Sequence, residues 1–503
     1  MSVLMGCLWA SYGVQAGPFD LLKETGALLA KPQATGQAAP VSLQGAVSQA
    51  NVNYAGYSKN FQATKQLLEQ GEAVEAYQLR EGVLIARKID PNVLFSLEQA
   101  LISLDAGQGD DAIKYLDHAE VLLEKRQNKS VTSGFLSKIT TGAVRATGFD
   151  EFGQYDGEPF ERILMLNFKS IAYMLDGNRK AYNVTRRAID WQNIEKKKFD
   201  QKIEAVKEEI KATESAQARK GNDLTAMGLI GVINDQYKSS EATALKVPSA
   251  FVNPFGFYMA GVVQEFDSYE DKSLRDNARI SYQKALELNP KSAVLKQAVK
   301  EIKKSAPKNK RLVQVVVANG FAPEKKVLRL DYNVNGMAVP VKLTIYEPDE
   351  TAVSRVEIQN KQGKRLAKLG VVADIDTLVL RYQYDSLPEQ HLKMTVSIVR
   401  SVLEGKLFQK AGFLGTMGKK FRDDSTFPDM RSWMSMPKQI LAARLYLPKN
   451  VADLQLVSFD SKGKVLVRKK LVLDASNHNF VFARSLDNIM YTNQSTSMWV
   501  AMR

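Results

Sequence analysis

Apolar positions follow two periods along this chain. From Ser58 to Ala306 they recur at three- and four-residue spacing, which places them on one face of an α-helix. After Lys310 they recur at every second residue, the spacing of a strand with one face buried. Pro307–Lys310 marks the change of period.

The helical part predicts paired helices. Asn60–Glu69 and Glu72–Lys88 flank Gln70-Gly71, and Val93–Asp105 and Asp110–Lys125 flank the glycines of AGQGD. Four helices carry one small-residue face: Ala73/Tyr77, Ala112/Leu116/Ala119, Ala181/Thr185/Ala188 and Ala278/Tyr282/Ala285. The alanines let a neighbouring helix approach closely. Asn289-Pro290 ends the last of these helices, because proline cannot continue the hydrogen-bond ladder. The copies are separated by 39, 69 and 97 residues, against about 34 for a tetratricopeptide unit. The pattern predicts a degenerate, interrupted helical-hairpin solenoid. Phe199, Ile203, Val206 and Ile210 form a short coiled-coil-like seam expected to pack on the solenoid. Ser249–Gly261 is the most aromatic stretch of this half and reads as core beneath the last repeat.

Eight strands are predicted beyond the boundary: Leu312–Ala318, Val327–Val334, Val339–Tyr346, Ala352–Asn360, Ala442–Leu447, Leu454–Phe459, Val465–Val472 and Phe480–Ala483. Asn335-Gly336 and Lys462-Gly463 suit hairpin turns. One long helix, Pro388–Gln409, interrupts them. The fold expected is an all-α tetratricopeptide-like solenoid at 58–306, followed at 307–503 by an α+β domain with a largely antiparallel sheet. Residues 17–57, rich in Ala, Gln, Gly, Ser and Pro, predict a flexible tether.

Chemistry is sparse. Cys7 is the single cysteine of 503 residues, so no intrachain disulfide forms. Residues 1–16 read as a truncated signal or lipobox remnant: Leu4-Met5-Gly6-Cys7 has the lipobox pattern, which makes Cys7 the candidate lipidation site. Val14-Gln15-Ala16 is a competing cleavage site. The three histidines stand alone in sequence, and no metal-ligand spacing, nucleophile elbow or phosphate loop occurs. Asp374/Asp376 and Asp423-Asp424 are carboxylate pairs that more often cap turns than catalyse. No cofactor or metal is expected. The net charge is +14, and residues 411–503 hold fourteen Lys/Arg against seven Asp/Glu. This surplus points to peptidoglycan or an anionic lipid surface. Nucleic acid is not expected, since no nucleic-acid-binding motif accompanies the charge. Arg431 and Trp433 are the candidate docking pair, with a buried tryptophan and an aspartate-neutralised arginine as the alternative.

The lipobox-like Leu4–Cys7, the Y-x-G-E-x-F-E-R run at Tyr155–Arg162, Asn253-Pro254-Phe255 and Arg431-Ser432-Trp433 together resemble a family of bacterial envelope proteins. These are predicted lipoproteins with tetratricopeptide-like helices and a β-rich C-terminal region. The resemblance implies a role in envelope assembly, on the periplasmic side of the outer membrane, near peptidoglycan-synthase activators and flagellum-associated lipoproteins. It implies no chemistry. The leading expectation is therefore a non-enzymatic scaffold that binds envelope proteins. The alternatives are a self-assembling subunit of a periplasmic ring, secretion or flagellar apparatus, and an enzyme acting on cell-wall polymer.

Overall fold

A computed structural model describes residues 45–53, 59–127, 155–334, 337–411, 428–474 and 478–495. Cys7, 130–154, the Asn335-Gly336 turn and Asp423-Asp424 lie outside the described residues.

Among the described residues ten α-helices precede the main run of strands: α1 Lys59–Gln70, α2 Ala73–Arg87, α3 Val93–Asp105, α4 Gly109–Gln127, α5 Pro159–Asp176, α6 Lys180–Ala218, α7 Leu229–Ala244, α8 Pro254–Asp267, α9 Leu274–Leu288 and α10 Ala293–Ile302. Local chemistry sets their ends. The Asn92 and Asn253 side chains accept the Phe95 and Gly256 N–H groups at the N-termini of α3 and α8. Pro159 opens α5, and Gly177 closes it at φ +69°, a left-handed conformation that suits glycine.

The helices pair as α1/α2, α3/α4, α5/α6 and α8/α9, and consecutive pairs touch. The small-residue faces are where they meet. Ala112, Leu116, Ala119, Ala181, Ala188, Ala278, Tyr282 and Ala285 have no exposed surface. Tyr282 lies so close over Gly261 of α8 that a Cβ there would come within 2.5 Å of the ring. Pro290 ends α9 at the surface, and Asn289 beside it donates to the Val371 and Val372 carbonyls.

All eight expected strands form: β2 Lys310–Asn319, β3 Glu324–Val334, β4 Met337–Glu347, β5 Arg355–Asn360, β8 Gln439–Pro448, β9 Asp453–Phe459, β10 Val465–Val472 and β11 Asn479–Ser485. Four more join them: β1 Gly45–Asn53, β6 Arg365–Lys368, β7 Gly370–Asp374 and β12 Met490–Gln494. Three sheets result, in the orders β1-β3-β4, β10-β9-β5-β6 and β12-β11-β2-β8-β7. Pairing is antiparallel except between β2 and β11.

The structure corrects four expectations. Gly45–Asn53, expected as tether, is an edge strand paired antiparallel with β3, whose backbone would otherwise be an open edge. The expected long helix forms as α12 Leu387–Ala411, but it is not alone: a helix that was not expected, α11 Ile375–Asp385, precedes it. The seam of α6 divides: Phe199 and Ile203 join the main core as expected, Phe199 against Phe251 and Tyr382, while Val206 and Ile210 pack instead on Leu392 of α12. The fourth concerns the boundary. The chain does change from helix to strand at Pro307–Lys310, but the core does not divide there. One apolar cluster joins Phe168, Phe255, Tyr258 and Tyr282 to Leu312, Val316, Ala442, Phe480 and Phe482.

The β2 strand explains this continuity. It is buried on both sides, as its near-continuous apolar run LVQVVVA requires. Leu312, Val316 and Ala318 face the helices, while Val313, Val315 and Val317 face the four-stranded sheet. The main body is thus three layers: helices, the five-stranded sheet, and the four-stranded sheet outermost. The third sheet packs separately on α7 and α12.

Candidate functional site

Charged residues inside apolar elements need a partner, because an isolated buried charge is costly. Three such linkages tie the helices to the sheets and to the segment that precedes β8.

The first centres on Glu265 of α8. Its carboxylate receives the Arg444 guanidinium of β8, and neither side chain has exposed surface. It also accepts from Tyr282 Oη at 2.8 Å and Gln314 Nε2 at 3.2 Å, and Gln314 Oε1 accepts from Tyr258 Oη at 3.0 Å. Arg444 reaches Glu301 of α10 at 2.6 Å. Two strands and three helices therefore share one ion network.

The second contains the Tyr155–Arg162 run. Glu161 Oε2 accepts from Tyr155 Oη at 2.5 Å and from the Glu158 N–H at 2.8 Å, while Oε1 accepts the Trp433 N–H at 2.7 Å. Glu158 meets Lys325 Nζ of β3 at 2.8 Å and Tyr382 Oη of α11 at 2.7 Å. Arg162 donates to the Asp156 and Gly157 carbonyls and pairs with Glu195 of α6.

The third holds the segment after Trp433. Glu98 of α3 accepts the Met434 and Ser435 N–H groups at 2.6 and 3.0 Å. Arg484 of β11 donates to the Ser435 and Gly320 carbonyls and lies 3.9 Å from Asp105 of α3. The segment 429–436 is therefore clamped by carboxylates from two helices and a guanidinium from the sheet.

Three of the four sequence runs meet here. Phe168 packs edge-on to Phe255 and to Trp433, with ring centroids 5.9 and 5.7 Å apart. Trp433 has no exposed surface, and its Nε1–H donates to Ser435 Oγ at 3.0 Å. Arg431 is mostly buried, forked onto Asp429 and lying over the Tyr155 ring. The docking reading of Arg431 and Trp433 is thus corrected. Their aromatic and charged surfaces are consumed within the chain, as the alternative in the sequence anticipated.

Electrostatics separates the two carboxylates of the Glu158/Glu161 pair. Burial and the neighbouring Glu158 charge push Glu161 up to about 7. Burial opposes ionisation of Glu158 too, but Lys325, Tyr382 and Lys202 outweigh it and hold the group at about 2. Carboxylates tuned apart in this way suit proton chemistry in an open cleft. Here every oxygen of the pair is engaged by the protein's own donors.

The other candidate groups are structural. Asp374 caps α11 by accepting the Thr377 N–H, and Asp376 pairs with Lys438 at 2.6 Å. His118 bonds the Pro91 carbonyl, His391 is buried, and His478 stacks on Tyr269 and accepts the Leu312 N–H. Among the described residues no group of three or more His, Cys, Asp or Glu side chains is placed to hold a metal ion. No described helix is long and apolar enough to cross a membrane.

Sequence reasoning missed Glu98, Asp105, Glu265, Lys325, Arg444 and Arg484. A signal was present: a single charge inside an otherwise apolar run, as in Ala442-Ala443-Arg444-Leu445 or Val481-Phe482-Ala483-Arg484. Comparison of the chain with family models, curated proteins and solved structures gives no match.

A pH dependence follows. Burial raises Glu98, Asp105, Glu161 and Asp376 to about 7 from ordinary values of 4.5 or 3.8. Between those limits the folded protein holds protons that the unfolded chain has released. Their contribution is full below the ordinary values and is lost as pH rises through about 7. His478, lowered to about 4, and His391, also lowered, oppose this, both through burial: their contribution is lost as pH falls, for His478 through about 4. Four groups outweigh two, so the melting temperature is expected to be higher at about pH 5 than at about pH 8. Circular-dichroism melts at fixed ionic strength measure it, and a higher value at the alkaline end contradicts the assignment.

Proposed function

We propose that this protein is a non-enzymatic scaffold of the bacterial envelope, whose degenerate tetratricopeptide-like helical surface binds an envelope protein. One observation carries the reading. The helices α3, α5, α8 and α10 lie against strands of the five-stranded sheet. In the helical pairs the exposed large aliphatic side chains fall on the second helices: Val74, Leu79 and Ile85 on α2, Val121 on α4, Ile194 on α6 and Ile280 on α9. The chain's own sheet occupies one side of the helical layer. The second helices thus expose apolar side chains among polar ones, which is the composition of a partner surface. The successive stacking of helix pairs through alanine faces supports the repeat reading.

Photo-crosslinking residues placed at Val121, Ile194 and Ile280 in turn test this in cells. One common protein adduct from all three positions is expected. Size measurement of the purified protein should give a monomer or small oligomer, and a large symmetric assembly would favour the ring subunit. Purified protein incubated with cell-wall sacculi should release no soluble fragments. Release that disappears in Glu161→Gln would overturn the scaffold in favour of an enzyme.

A further inference from the structure

The outermost sheet is built from one hairpin used twice. Asn360-Lys-Gln-Gly-Lys364 and Asp460-Ser-Lys-Gly-Lys464 form the same turn. In each, the first side chain accepts the N–H groups two and four residues on: Gln362 and Lys364, then Lys462 and Lys464. Gly363 and Gly463 take φ +79° and +85°. Each turn is followed by a register shift at the equivalent place, between Arg365 and Ala367 and between Val465 and Val467. The hairpins meet through β5 and β9, where Glu357 pairs with its own equivalent, Val457. The sheet therefore has an approximate two-fold axis at that pair.

This sheet also concentrates the charge. Residues 355–370 and 453–472 hold ten Lys/Arg against three Asp/Glu, a surplus of seven in a chain of net charge +14. The inner face is apolar and packs on the five-stranded sheet. Cross-strand register puts Arg355, Lys368 and Arg468 on the outer face with Glu357, and Arg365 and Lys470 there with Gln359. The acids are already occupied: Glu357 by Arg355 and Arg365, Asp453 by Lys361 and Lys470, and Asp460 by its turn. Lys364, Lys368, Lys462 and Lys464 are exposed and make no ion pair among the described residues, whereas the exposed Lys469 of the edge strand lies opposite Leu456, at an inner-face position.

We propose that this outer sheet rests on a lipid bilayer carrying anionic headgroups, with the helical layer facing away from it. Charge complementarity is the first argument. The second is the aliphatic surface set among the cations: Leu366, Val465 and Val472 are 39%, 39% and 55% exposed. A bilayer interface accepts such side chains, whereas a hydrated polymer does not. Phe459, an aromatic ring of the kind that stacks on a sugar or base, is buried beneath Arg355. Pairing of β10 with a second copy is opposed by its Arg468-Lys469-Lys470 run, which would meet like charge. The basic stretch Lys291–Lys310 along α10 carries charge but no exposed large aliphatic residue.

Co-sedimentation of the full chain with phosphatidylglycerol-containing vesicles and with neutral phosphatidylcholine vesicles tests the proposal. Binding is expected only to the anionic vesicles, and it should fall between about 0.05 M and about 0.3 M salt. Each lysine near a strongly anionic surface is worth roughly fivefold, so K364Q/K368Q/K462Q/K464Q should weaken partitioning at least roughly 100-fold. The matched set K291Q/K296Q/K300Q/K304Q on and beside α10 should bind nearly as well as the natural chain. Hydrogen exchange of the unaltered protein, which needs no variant, should slow at 361–368 and 462–470 on vesicles. No binding to anionic vesicles at low salt overturns the proposal. So does loss of binding in the α10 set alone, or exchange protection elsewhere. Tighter, sheet-dependent binding to cell-wall sacculi than to vesicles would assign the surface to the polymer instead.

Discussion

Replacing Arg444 with methionine is expected to destabilise the whole protein by about 3–5 kcal/mol, because it strands a fully buried carboxylate. Glu265 would keep Tyr282 and Gln314 as donors but lose its guanidinium. The loss should appear in both halves of the molecule, since the network joins α8, α9 and α10 to β2 and β8. The double change Arg444→Met with Glu265→Gln removes the charge together with its partner. It should recover much of the stability, as paired removal of buried ions commonly does. Chemical denaturation of the three variants measures this. A single variant within about 0.5 kcal/mol of the natural chain would mean that the pair is solvated rather than sealed.

Trp433→Ala carries the second large effect, about 3–5 kcal/mol, through the cavity left against Phe168 in the main core. The same change distinguishes a core residue from a docking residue. A docking tryptophan would leave melting unchanged and abolish partner binding alone. Here melting should fall first, because Glu161 and Glu98 hold the backbone on either side of the indole and the ring closes the space between them.

Much of the fold was legible in sequence because it depends on local period. The alternation in Val327–Val334 and the alanine spacing in Ala278–Ala285 each state an element and its buried face. The Gly-containing turns after Asp460 and at Gly177 state where elements stop. What stayed hidden depends on distant pairing. β1 is a polar stretch that becomes a strand because β3 has an open edge for it. The helix at Ile375–Asp385 is short, and its apolar residues follow those of β7 without a clear break. The shared core was invisible because the change of period at Pro307–Lys310 has the form of a boundary, and nothing local says that β2 is buried on both faces. The site followed the same division. Tyr155–Arg162 and Arg431–Trp433 stood out as unusual runs, but their joint burial depends on Glu98, Lys325 and Tyr382, which lie far away in sequence. Arg431 and Trp433 therefore looked like a surface until the structure filled it.

The central claim is that helices and sheets form one body whose buried charges leave only its outer faces for partners. Differential scanning calorimetry of the full chain tests it most directly. One cooperative transition, with calorimetric and van't Hoff enthalpies in agreement, is the expected result. Two resolved transitions, with Arg444→Met and Trp433→Ala each shifting only one of them, would contradict it.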